Sequence, residues 1–196
     1  MTATLDERLN QILPTITSEI FLAGDGVGNE IPYHVFDYPA ESELLVRRHI
    51  AFLLDKIPKQ KPGIKLVDLH LFDFIIEHLK KRGLLDKSIE MEKQKGQEHL
   101  CKQLEKLLHP DKLCPLIAEK ISQGKADLVL VHGVGSAYPF VRASGILNSL
   151  HQFTGQTPVV MFYPGNYDQV CFRLFGKVRD KSKQDNYYRA FRLIPS

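Results

Sequence analysis

The chain has 196 residues, 43% hydrophobic and 25% charged, with a formal net charge of +3. That is an ordinary globular composition, long enough to bury a core in one domain, and the charge is too mild to argue nucleic-acid binding by itself. No apolar run approaches the ~18 residues of a membrane span. Acids early in "MTATLDERLNQIL" break up any secretory signal, and Cys101, Cys114 and Cys171 have no paired spacing, so reduced thiols in a cytoplasmic protein are expected.

Along the chain, Leu5, Leu9, Ile12 and Leu13 mark one face of an N-terminal helix, followed by the glycine-rich "AGDGVGNE" (23–30). "IPYHVFDY" (31–38) reads as a strand. Pro39 and Ala40 open a helix with Val46, Ile50, Leu53 and Leu54 on one face. "GIKLVDLHLF" (63–72) is a second strand passing into a helix, with Leu69, Phe72, Ile76 and Leu79 inward and Gly83 as its stop. Residues 85–108 are polar and helical, with Leu100, Leu104, Leu107 and Leu108 as a seam. A further helix, 113–123, ends at Gly124. The third strand is 127–131, and Ala143, Ile146, Leu147 and Leu150 face inward on the next helix. "TPVVMFYPG" (157–165) and "YYRAFRLI" (187–194) are the fourth and fifth strands.

Strands alternating with helical crossovers imply an α/β fold: a three-layer arrangement of about five parallel strands with helices on both faces. It forms one domain, 1–196, with an N-terminal helix and loop (1–30) and a helical insertion (85–124).

The glycines of "HGVGSAYPF" (132–140) follow a strand and precede a helix, the order in which many proteins hold a phosphate. A P-loop then needs Lys followed by Ser or Thr, for the outer phosphates and for magnesium, and neither is in place. The dinucleotide pattern needs a third glycine, and Pro139 or a neighbour stands there instead. In "GDGVGNE", Asp25 and Glu30 would repel phosphate. Ser136 is not on a Gly-x-Ser-x-Gly elbow, because Ala137 and Tyr138 follow it. His99, Cys101, His109 and Cys114 match no zinc spacing, and Asp37, Asp68 and Asp73 are carboxylates that no spacing links. No catalytic residue, cofactor or metal is expected. Seven basic residues lie between Arg173 and Arg192, against Asp180 and Asp185, with Tyr187 and Tyr188 among them. They read either as a solvated loop or as a nucleic-acid surface.

"FDYPAESELLVRRHI", "HGVGSAYPFVRASGILNSL", "VVMFYPGNYD" and "NYYRAFRLIP" together resemble the BrxB family of BREX bacteriophage-exclusion systems, over about residues 31–195. The matched positions are Gly133, Gly135, Tyr138, Pro139, Phe140, Arg142, Tyr163, Pro164, Gly165, Tyr187, Arg189 and Phe191. The resemblance implies a layout like that of P-loop proteins without the nucleotide motif. It implies a small cytoplasmic, non-enzymatic interaction component of a defence system that also has a DNA methyltransferase, a large ATPase and a PglZ-type protein, the last being the expected partner. Any DNA contact would be indirect, and no membrane is involved. The motifs fall at strand ends, so Tyr138, Arg142, Tyr163 and Asp168 are expected to converge there. Arg142, in the first turn of its helix, is poorly placed for the helix dipole and should be held by Asp168 or Asp37. The motifs either lock the loops together or form a binding site. The alternatives are a nucleic-acid-binding accessory subunit, using the 173–192 stretch that ends at Arg192, and a nucleotide-dependent enzyme with an irregular loop at 133–138.

Overall fold

The computed structural model describes residues 3–24, 32–169, 171–179 and 190–195. Helix α1 (Leu5–Ile16) starts at a capping box: the Thr4 hydroxyl accepts the Glu7 N–H, and Glu7 accepts the Thr4 N–H at 2.7 Å. After the short α2 (Glu19–Leu22) comes β1 (Tyr33–Tyr38), a 3₁₀ turn at Ala40–Ser42, and α3 (Glu43–Gln60). Strand β2 (Leu66–His70) runs straight into α4 (Leu71–Lys81), whose first turn is capped by the His70 imidazole accepting the Asp73 N–H at 3.2 Å.

The insertion is two helices, α5 (Leu85–Lys95) and α6 (Gln97–Leu107), divided at Gly96, where φ is +80°. Helix α7 (Pro110–Gln123) starts three residues before the expected 113, because Pro110 fits a first helical position and His109 caps it. Then follow β3 (Leu128–His132), the single-turn α8 (Val134–Ala137), α9 (Ala143–Thr154) and β4 (Val159–Tyr167). The described chain closes with β5 (Phe172–Leu174), β6 (Val178–Arg179) and β7 (Phe191–Arg192).

The main sheet has the order β2-β3-β4-β1-β7, every pair parallel. Alternation along each strand divides the core in two. The odd-numbered Val35, Val67, Leu69, Val129, Val131, Val159 and Met161 pack with α4, α6, α7, α8 and α9. The even-numbered Phe36, Leu128, Leu130, Val160 and Phe162 pack with α1 and α3. The inner strands β1, β3 and β4 are thus buried on both faces, as parallel strands are, while the edge strand β2 leaves Asp68 exposed.

Three expectations are adjusted. The inward stripe of α4 is Leu71, Ile75 and Leu79, and Phe72 and Ile76 are only half-buried. The expected fifth strand is described only from residue 190, and its ladder with β1 spans Phe191 and Arg192. Strand β4 runs on past Gly165 into the antiparallel β5 and β6, a hairpin the sequence reading lacked.

Candidate functional site

A parallel sheet gathers the carboxyl ends of its strands, and the loops that leave them, along one edge. Here register sets His70 opposite His132, Tyr38 opposite Pro164, and Asp37 opposite Tyr163. The polar and aromatic side chains at this edge form three groups.

The first lies at the ends of β2 and β3. His132 Nε2 is 2.6 Å from Asp68 Oδ1, and His70 Nδ1 is 3.1 Å from Asp73 Oδ2. The two imidazoles meet edge to face, with centroids 4.8 Å apart. Burial, and then the neighbouring His132, lower the pKa of His70. Above them, Arg47 on α3 reaches Ser136 Oγ at 3.4 Å and pairs with Glu43 at 2.7 Å, and Glu43 accepts the Tyr38 hydroxyl at 2.7 Å. Among the described residues, no His, Cys, Asp and Glu group has a geometry that holds a metal ion.

The second is the loop after β3. Gly133 has φ +70° and lies against the His70 ring; a Cβ there would be 2.6 Å from the imidazole. A Cβ on Gly135 would be 3.0 Å from Phe175 and 3.1 Å from Pro164. The glycines therefore admit this protein's own rings. Tyr138 precedes a cis peptide bond to Pro139, meets Phe175 edge-on at 6.4 Å, and lies 5.9 Å from the Arg142 guanidinium. Tyr138, Arg142 and Tyr163 line a small cavity with Val134, Val141 and Leu174.

The third is a buried ion cluster at the ends of β1 and β7. Asp37 accepts Arg8 at 2.9 Å, Arg192 at 3.2 Å and the Tyr167 N–H at 3.1 Å. Arg192 also bonds the Tyr167 carbonyl, and the Tyr167 hydroxyl donates to the Ala190 carbonyl at 2.7 Å. Arg8 stacks over Phe36 at 4.8 Å.

Apart from Phe175, the aromatic, proline and glycine residues of the second group are those of the family motif, and comparison with known proteins agrees. The family model described as BREX protein BrxB matches residues 67–193. The chain belongs to the BrxB family. A BREX protein BrxB of Bacillus cereus (strain H3081.97) is 37% identical over 194 residues, covering 97% of each chain. One of Escherichia coli O9:H4 (strain HS) is 40% identical over 191 residues, covering 97% of this chain and 92% of its own. No solved structure matches. Among the described residues, no helix is long and apolar enough to cross a membrane.

Of the residues expected to converge in this BrxB-family chain, Tyr138, Arg142 and Tyr163 do so. Asp168 is not part of that cavity lining; it caps the β4–β5 turn, accepting the Cys171 N–H at 2.6 Å. Arg142 stands just before α9, with extended backbone, rather than in its first turn. Asp37 does not hold it, being occupied by Arg8 and Arg192. Pro164 and Gly165 lie within β4, and a Cβ on Gly165 would be 2.2 Å from the Arg173 carbonyl oxygen, so this glycine lets β5 cross closely. Arg192, offered as a binding candidate in the basic stretch, is part-buried and bonds the Asp37 carboxylate and the Tyr167 carbonyl. Arg173 and Lys177 are exposed, and Tyr187 and Arg189 lie outside the described residues.

Sequence named Asp68 and Asp73 as carboxylates but did not link them to His70 and His132. The signal was there in weak form: Asp68 and His70 are the polar positions in the alternation of β2, and His132 ends the apolar run of β3. Only register makes them neighbours.

Proposed function

We propose that this chain is a non-enzymatic interaction component of a BREX phage-exclusion system, and that it docks on a PglZ-type partner. The observation that carries the reading is the packing of the loop after β3. The loop lacks the Lys and Ser/Thr of a nucleotide cradle, and the side-chain faces of its glycines are taken by the protein's own rings, Gly133 by His70 and Gly135 by Pro164 and Phe175. Membership of the BrxB family supplies the system. The motif residues Tyr138 and Arg142, set around a small apolar cavity at the sheet edge, suit a contact between polypeptides better than a reaction.

The test is size-exclusion chromatography and pull-down of the purified chain with the PglZ-type protein of the same system. A complex at micromolar concentration is expected, and its absence sinks the reading. Calorimetry with ATP and magnesium should give no heat. Arg142→Ala separates docking from loop-locking. A docking role predicts about tenfold or greater weakening of the complex with an unchanged melting temperature. A locking role predicts a lowered melting temperature with no separate binding defect.

A further inference from the structure

Helix α3 buries Val46, Ile50, Leu53 and Ile57 and turns its opposite side to solvent. That side carries Leu44, Arg48, Phe52 and Lys56, each four residues from the last, so they form one continuous row about 18 Å long. Leu44 is 71% exposed and Phe52 42%, large apolar areas to leave in water. The charges beside them are unevenly matched. Glu43 is taken by Arg47 and Asp55 by Lys59, both within the helix. Arg48 and Lys56 make no ion pair among the described residues, and the Lys56 ammonium lies 5.8 Å from the Phe52 ring centroid. The row therefore alternates aliphatic, cation, aromatic, cation, and the acid nearest Lys56, Asp55, acts on it through charge while its hydrogen bond goes to Lys59.

We infer that this ridge is a docking surface for an acidic amphipathic helix of a protein partner. The partner's apolar seam would cover Leu44 and Phe52, and its carboxylates would meet Arg48 and Lys56. A phosphate backbone would leave Leu44 uncovered, and two available cations release too few counterions to hold a duplex. A second copy of this chain would set the same cations against each other in a two-fold contact. The inference rests on the interaction reading above only in requiring a protein partner, and it does not require the PglZ-type protein.

The test places a photo-crosslinking phenylalanine analogue at position 52 in cells carrying the complete BREX gene set. Phe153, 48% exposed on α9, is the control position. The expected result is an adduct to a BREX protein whose cross-linked peptide is helical and acidic. R48E/K56E should cut its yield more than about tenfold, since like charges then face each other. Should that double variant melt lower than wild type, Arg48→Gln and Lys56→Gln carry the same test, each at about threefold. A yield no higher than at position 153, or one indifferent to these charges, overturns the inference. So does an adduct to DNA, to a second copy, or to a peptide without acids. An adduct to a subunit other than the PglZ-type protein leaves it standing while counting against the partner proposed above.

Discussion

Asp37 joins parts of the chain 29 and 155 residues away, through Arg8 and Arg192. Its sequence context showed only a carboxylate at a strand end, one that could have served a metal or held Arg142. Burial makes it a cornerstone instead: with Asp37→Ala, the buried Arg8 guanidinium loses its ion-pair partner and Arg192 loses one of its acceptors. The expected cost is about 3–5 kcal/mol, read as a lowered urea midpoint. His34 makes the opposite kind of statement. Its ring lies between Phe21 and Phe191, and burial lowers its pKa to about 4. The unfolded imidazole binds a proton near 6.5, so the stability due to the neutral ring is fully present above that pH. It is lost as pH falls from 6.5 towards 4, by up to about 1.4 kcal/mol per unit. His49, His70 and His78, also lowered by burial, add to the same slope. His34→Phe should flatten it, measured as urea midpoints between pH 4 and 7; an unchanged slope removes His34 as a cause.

Among the elements, the two helices of the insertion behave differently although both were read as one polar helical stretch. α6 buries Leu100 and Leu104 against the sheet layer, whereas α5 buries nothing and leaves Ile89 44% exposed. Leu104→Ala should cost about 2–5 kcal/mol, and Ile89→Ala should stay within about 0.5 kcal/mol, both by chemical denaturation. The leucine seam was legible because it repeats at helical spacing, but which part of the stretch it anchors was not. The β4–β5 crossing is harder still to read. Gly165→Ala should destabilise by about 1–3 kcal/mol, because its Cβ meets the backbone of the next strand. The sequence showed a glycine after a proline, and nothing local showed that β5 folds back across it.

At the scale of the whole molecule, the family match begins at residue 67, yet β1 (33–38) lies between β4 and β7 in the sheet. The second core also needs Leu9, Ile12 and Ile16 from α1 and the inner face of α3, all earlier than residue 67. A chain cut to 67–193 should therefore lose cooperative unfolding and bind a dye for exposed apolar surface. Retention of a sharp thermal transition would show that the matched segment is autonomous and that β1 is dispensable.

The sequence by itself determined the class of the fold, the sides of most helices and the absence of a phosphate-binding motif, because hydrophobic period and motif chemistry are local properties. Tertiary structure alone decided that His70 faces His132, that Arg192 turns in to Asp37, and that Pro164 and Phe175 occupy the room left by Gly135. Strand order and register bring together residues far apart in the chain, and nothing in the spacing along one strand encodes which residue on the next will stand beside it.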